Sequence, residues 1–331
     1  MGIARRGLVA AVSGMMAAPR LVAAQSAFPS RPIRIVVPFT PAGTTDLVGR
    51  LTAELLGKRL GGTVVVDNRP GASGNLGAEF VARSEPDGYT LLLTTIGTGA
   101  INYAVFRDRM PYKPEDLAAV ALMTRVPNVL MASNNTAIHS LADLVREARA
   151  HPGRLNYGTA GIATSPHVVT EQLRLATGID ITHVPFRGSG PMLTELVAQR
   201  IDIGMDNIPS ALPFIRDGKV RAIGVTSAAR NASLPDVPTI AEQGQPGFEA
   251  TAWFGILAPA RTPAAIVERL GSELNAVALD PAFRARMTAL GADTPGLRPD
   301  GGTSPATFAA FIRAEIAKWA DVVHRANIRV E

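Results

Sequence analysis

The chain has 331 residues, 47% hydrophobic and 18% charged, with no cysteine and no long polar tract. That length and composition fit a compact protein of two domains, each with its own core, and exclude disulfides, thiolate metal sites, cysteine nucleophiles and a disordered chain. The formal charge of +5 falls by three, to +2, without Arg5, Arg6 and Arg20, because residues 1–24 hold no acid; no Lys/Arg run tracks a phosphate backbone, so no nucleic-acid partner is expected.

Arg5 and Arg6 precede an uncharged apolar run over 7–18, which Pro19 and Arg20 end well short of the roughly 20 residues that span a bilayer. This pattern predicts a secretory signal peptide over 1–24, cleaved after Ala24 or, as second choice, after Ala27, and an exported protein. The context Gly7-Leu8-Val9 matches a twin-arginine signal poorly, so general secretion is expected.

Ile33-Arg34-Ile35-Val36-Val37, bounded by prolines, reads as a buried parallel strand. Leu47, Val48, Leu51, Leu55, Leu56 and Leu60 follow at helical spacing, and Gly61-Gly62 closes that helix. A strand over 63–66, a helix over 75–84 and a strand over 89–95 come next. After Val129-Leu130-Met131 the alternation resumes: helix 140–150, strand 155–158, helix 166–177, strand 179–184, helix 190–200, strand 201–205, helix 209–217 and strand 220–226. A strand over 252–257 precedes helices at 263–278, 281–290 and 305–325. Such alternation predicts an α/β fold of two lobes, with parallel-rich sheets flanked by helices. The last three helices have no sheet of their own, so they are expected to return to the first lobe. Lobe 1 is then 25–130 plus 252–331 and lobe 2 is 131–251, and the two interlobe crossings make a hinge.

Ligands of open parallel sheets sit beyond the carboxyl ends of strands, where helix beginnings present free N–H groups. Two strand-to-helix junctions offer this. The first is Pro38-Phe39-Thr40-Pro41-Ala42-Gly43-Thr44-Thr45-Asp46, where Gly43 permits close backbone approach and the threonines add hydroxyl donors. The second runs from Tyr157-Gly158-Thr159 through Gly161, Ala163 and Thr164 to Ser165-Pro166-His167, with Ser165 as N-cap and Pro166 opening the helix. One such end contributes about 0.3 to 1 kcal/mol to an exposed anion and up to about 2 when partly buried, so opposed junctions, one per lobe, would together suit a carboxylate. Taken singly, the same Ser and Thr residues read equally well as ordinary helix caps.

Asp46 reads either as a dipole partner of its helix or as a selectivity group repelling a second negative charge. Asp206 and Asn207 end a strand that could meet the cleft, or form a turn with Pro209. Arg187 reads as a carboxylate partner or as a surface arginine, and His167 as orienting the second loop or as an ordinary hydrogen-bonding residue. The five histidines, His139, His151, His167, His183 and His324, lack metal-site spacing, and Gly97-Thr98-Gly99 lacks the later glycine of a dinucleotide fingerprint. No nucleophile elbow or Walker-type loop occurs, so no cofactor, metal or catalytic residue is expected.

Several segments resemble one family: Pro32-Ile33-Arg34-Ile35-Val36-Val37-Pro38-Phe39, Asp67-Asn68-Arg69-Pro70-Gly71-Ala72, Gly74-Asn75-Leu76-Gly77-Ala78, Pro86-Asp87-Gly88-Tyr89-Thr90-Leu91, Leu155-Asn156-Tyr157-Gly158 and Leu234-Pro235-Asp236-Val237-Pro238-Thr239. Across the whole mature chain these are similar to the tripartite tricarboxylate transporter substrate-binding proteins, the Bordetella uptake gene family. The resemblance implies a periplasmic protein with two α/β lobes that closes on a small organic carboxylate. It further implies partners in the large and small membrane subunits of a secondary transporter. It places ligand contacts in 39–46 and 157–167, with more near Gly97-Thr98 and Asp206-Asn207. Thr40, Ala42 and Thr44 stand where the family commonly has proline or glycine, and Ile162 and Pro166 where it is often small or polar, so only the ligand class carries over. A monomer is expected. The alternatives are a carboxylate sensor subunit serving a signalling partner and a periplasmic hydrolase built on Ser165 and His167.

Overall fold

The computed structural model describes residues 28–328; the signal peptide expected over 1–24 lies outside them. The first lobe begins with β1 (Ile33–Val37), α1 (Thr44–Leu60), β2 (Val64–Asn68), α2 (Asn75–Ala82) and β3 (Thr90–Thr95). Its first strand is buried because Ile33, Ile35, Val36 and Val37 are all apolar, and it pairs in parallel with β2 and β3 on either side. A π-turn over Gly97–Ile101 and the short α3 (Asn102–Phe106) follow.

The connection to the second lobe is β4 (Leu117–Ala132), a single strand of 16 residues. Its first part pairs with β9 (Thr251–Pro259) as far as Pro127↔Thr251, and its last part, from Asn128 to Ala132, pairs with β7 (Ile203–Asn207). Lobe 2 contains α4 (Leu141–Ala150), β5 (Asn156–Thr159), α5 (Ser165–Thr177), β6 (Thr182–Pro185), α6 (Ser189–Val197), β7, α7 (Ile208–Arg216) and β8 (Arg221–Val225). The strand order is β2-β1-β3-β9-β4-β7-β5-β6, with β8 also on β4. The sheet is mixed: β9, β7 and β8 are all antiparallel to β4. The expectation of parallel pairing therefore holds at β1–β2, β1–β3, β5–β6 and β5–β7, and is corrected at the crossings. Two chain segments running between lobes in opposite senses pair antiparallel when they lie side by side.

Both crossings meet at Thr226. Its N–H donates to the Asn128 carbonyl, its hydroxyl accepts from the Asn128 N–H at 2.9 Å and donates to the Ala250 carbonyl at 2.6 Å, and the Ala250 N–H returns to the Thr226 carbonyl. After β9 the chain forms α8 (Ala264–Leu279), α9 (Pro281–Ala289) and α10 (Pro305–Arg325). The helices α8 and α10 pack on β4, and α8 also packs on α1. Among the described residues no helix is long and apolar enough to cross a membrane.

Candidate functional site

The turn out of β1 delivers an open helix end. Gly43 occupies the N-cap of α1 without a side-chain cap, and the first helical bond runs from Leu47 N–H to the Gly43 carbonyl, so the N–H groups of Thr44, Thr45 and Asp46 have no partner within the helix. The turn out of β5 repeats this. The N-cap of α5 is Thr164, one residue before the expected Ser165, and its hydroxyl donates back to the Gly161 carbonyl at 2.7 Å instead of capping the helix. The N–H groups of Ser165 and His167 are thereby left open, while Pro166 has none to satisfy.

Both turns are held by the same device. Ala42 and Ala163 take positive φ, 68° and 59°, which costs an alanine strain unless the neighbourhood holds it. In each case the N–H of that alanine donates to the side chain four residues on: Ala42 to Asp46 Oδ2 at 3.1 Å, and Ala163 to His167 Nδ1 at 3.1 Å. Burial opposes ionisation of Asp46, but hydrogen bonds from Arg50, Asn68 and Ala42 outweigh it and hold the carboxyl below its ordinary value. Burial lowers His167 to about 4 with help from the Arg174 charge, so the imidazole is neutral and its Nδ1 is free to accept. His167 stacks on His183 at 4.1 Å, and His183 on Tyr157 at 4.7 Å; Thr159 Oγ1 bonds His183 Nε2, and the Tyr157 hydroxyl donates to Glu171.

The two helix ends open into one cavity. Lobe 1 contributes Phe39, Thr40, Gly43, Thr44, Thr45, Thr95 and Ile96; lobe 2 contributes Ala160, Thr164, Ser165, Pro166, Gly188, Ser189 and Asn207; Ala252 and Phe254 of β9 complete the wall. Among the described residues no ionisable side chain lines it. The lobes touch around it: Thr44 Oγ1 donates to Ser210 Oγ at 3.1 Å, and Thr40 Oγ1 to the Arg187 carbonyl at 3.3 Å. A wider chamber shares Phe39, Thr40 and Ala160 with the first and continues to Gly161, Ile162, Phe186 and Arg187 and to the turn over 70–74.

Of the residues singled out from the sequence, the structure brings Phe39, Thr40, Gly43, Thr44, Thr45, Thr164, Ser165 and Asn207 to the inner cavity, and Gly161 and Arg187 to the outer chamber. Ala42, Ala163, Asp46 and His167 lie behind the wall as the paired turn supports, so Asp46 does not face the cavity as a selectivity group. Tyr157 and Thr159 anchor the second turn, and Gly158 packs against Ile201 and Met192. Thr98 is buried against Thr94 and Thr95, and Gly97 abuts the Ala163 carbonyl of the other lobe. Asp206, fully buried, lies beneath the wall and accepts from Ser189 Oγ, Ser210 Oγ and the Asn207 N–H; burial pushes its carboxyl up to about 6 against the pull of those bonds. The sequence reading missed Thr95, Ile96, Gly188, Ser189, Ala252 and Phe254. The sequence signal for Gly188 and Ser189 was the Gly-Ser pair opening a helix after β6; Ala252 and Phe254 arrive through long-range antiparallel pairing that no local pattern announces.

Paired crossings, two α/β lobes and a cavity walled by a helix beginning from each define the periplasmic-binding-protein class. Residues 48–328 match the tripartite tricarboxylate transporter family receptors, and the chain belongs to that family. It is 35% identical over 327 residues to Protein BugT of Bordetella pertussis, covering 98% of each chain. It also superposes on the R. palustris protein Rpa4515 with adipate at a TM-score of 0.86, with 37% identity, covering 92% of this chain and all of that one. MatC (Rpa3494) from Rhodopseudomonas palustris, with bound malate, superposes at 0.84 with 36% identity, covering 89% of this chain and 100% of that one.

Proposed function

We propose that the protein binds a small organic carboxylate between its lobes in the periplasm and delivers it to a tripartite tricarboxylate-type secondary transporter with a large and a small membrane subunit. The observation carrying this reading is the convergence of the α1 and α5 beginnings on one cavity with no ionisable side chain in its wall. Open N–H groups at Thr44, Thr45, Ser165 and His167 favour an anion. Each helix end contributes up to about 2 kcal/mol when partly buried, so two acting together with hydroxyls reach useful affinity where one would not. Family membership and relatives solved with adipate and malate support the ligand class, and the family description supports the transporter.

The sequence drew the lobes as 25–130 plus 252–331 against 131–251; we draw the division at 127/128 and 250/251, where β4 changes partners, with Thr226 as the pivot. A thermal-shift panel of mono-, di- and tricarboxylates tests the ligand class. An acid at 100 times its Kd stabilises by about 2.7 kcal/mol, enough to raise Tm by several degrees. A panel that leaves Tm unmoved at millimolar concentration contradicts the reading.

A further inference from the structure

Resting on the carboxylate reading above, we propose that the bound acid carries a hydrogen-bond donor, a hydroxyl or an ammonium, on the carbon beside its carboxylate, and that Ser189 receives it. The hydroxyl protons of the cavity wall decide which groups are left to meet a ligand. A serine or threonine hydroxyl has one proton, and once that is committed elsewhere only lone pairs remain for a ligand. Ser189 Oγ donates to Asp206 Oδ1 at 2.9 Å, and a carboxylate only accepts, so the direction of this bond is fixed. Asp206 takes a second proton from Ser210 Oγ at 2.8 Å, and Ser210 in turn accepts the proton of Thr44 from the opposite lobe. The hydroxyls of Thr40 and Thr164 spend their protons on the Arg187 and Gly161 carbonyls.

Donors for a carboxylate therefore come from the backbone at the two helix ends, from the wall hydroxyl of Thr45, which bonds nothing else among the described residues, and from Thr95, whose Oγ1 already accepts two backbone N–H groups and so has its own proton free. On the lobe 2 side Ser189, only 7% exposed, presents lone pairs backed by a fully buried negative charge. A plain alkyl chain placed there displaces water and offers the lone pairs of Ser189 Oγ no donor, whereas a hydroxyl or ammonium supplies one. Asp206 does not touch the ligand in this scheme; it is a positioning residue that fixes the rotor of Ser189.

Calorimetry on the wild-type protein with acids matched in skeleton tests this. Three sets are used: succinate, malate and aspartate; propionate, lactate and alanine; adipate, 2-hydroxyadipate and 2-aminoadipate. Within the set that fits, the hydroxy or the amino acid is expected to bind about tenfold more tightly than the unsubstituted acid, and which of the two does so identifies the donor. In Ser189→Ala, and in Asp206→Asn with Tm measured alongside, that ratio falls towards one. Equal binding of substituted and unsubstituted acids by the wild type overturns this inference and leaves the carboxylate reading standing. A ratio unmoved by Ser189→Ala removes Ser189 from the role. Silence from all nine acids overturns this inference, and the wider thermal-shift panel decides the carboxylate reading.

Discussion

Replacing Gly188 with alanine separates closure from folding. Gly188 is the N-cap of α6 with φ 141° and ψ 172°, a region that only glycine occupies without strain, so a side chain there costs about 1 to 3 kcal/mol in any state of the protein. A Cβ on Gly188 would also stand 2.3 Å from Thr40 Oγ1, a residue of the opposite lobe, and that collision exists only while the lobes are together. Relieving it means turning the Thr40 hydroxyl away from the Arg187 carbonyl or holding the lobes apart. Overpacking of this kind costs roughly 1 to 3 kcal/mol, which weakens ligand binding by about 5- to 150-fold. Calorimetry gives Kd, and a thermal melt without ligand gives the folding cost. The double variant Gly188→Ala with Thr40→Ala should regain the affinity of Thr40→Ala alone, because Thr40 Cβ stands 3.5 Å away, at ordinary contact, while Tm stays depressed. An affinity loss of equal size in both backgrounds, or a Gly188→Ala protein that melts lower but binds as the wild type does, would refute the reasoning.

Thr226→Val keeps the shape of the pivot but leaves the Asn128 N–H and the Ala250 carbonyl short of partners in a buried setting, a loss of about 2 to 5 kcal/mol readable in denaturant unfolding. His167 is held neutral with its pKa near 4, below the ordinary 6.5, so its contribution is complete above pH 6.5 and lost as the pH falls towards 4; His167→Gln should flatten stability across that window in parallel melts. Asp206 acts in the opposite sense. Its pKa stands near 6 against the ordinary 3.8, so ionising it costs about 3 kcal/mol, stability from this group grows as the pH falls through 6, and Asp206→Asn should abolish that component in the same melts.

The helix beginnings of the cleft were legible because their chemistry is local: a β-branched strand, then Gly43 and the threonines, or Thr164 and Ser165 ahead of Pro166. The long β4 was not, since Ala118, Ala119 and Ala121 dilute its apolar pattern and Pro127 interrupts it; only 129–131 stood out. Pro127 is tolerated where the strand passes from one partner to the next, a position where a missing N–H does least harm. Asp46 and His167 carried the right chemistry in the right loops, but they face the turn. That orientation follows from the positive φ of Ala42 and Ala163, and nothing in an alanine's identity forecasts it. Ser189 looked like any helix-opening serine until the strand end at Asp206 was brought beneath it by the pairing of β7 with β4.

A crystal structure of the protein grown with the acid that raises Tm most puts the account at greatest risk. One carboxylate is expected inside the inner cavity, its oxygens accepting from the N–H groups of Thr45 and Ser165. A carboxylate held only in the outer chamber against Arg187, with the α1 and α5 beginnings facing water, would contradict it.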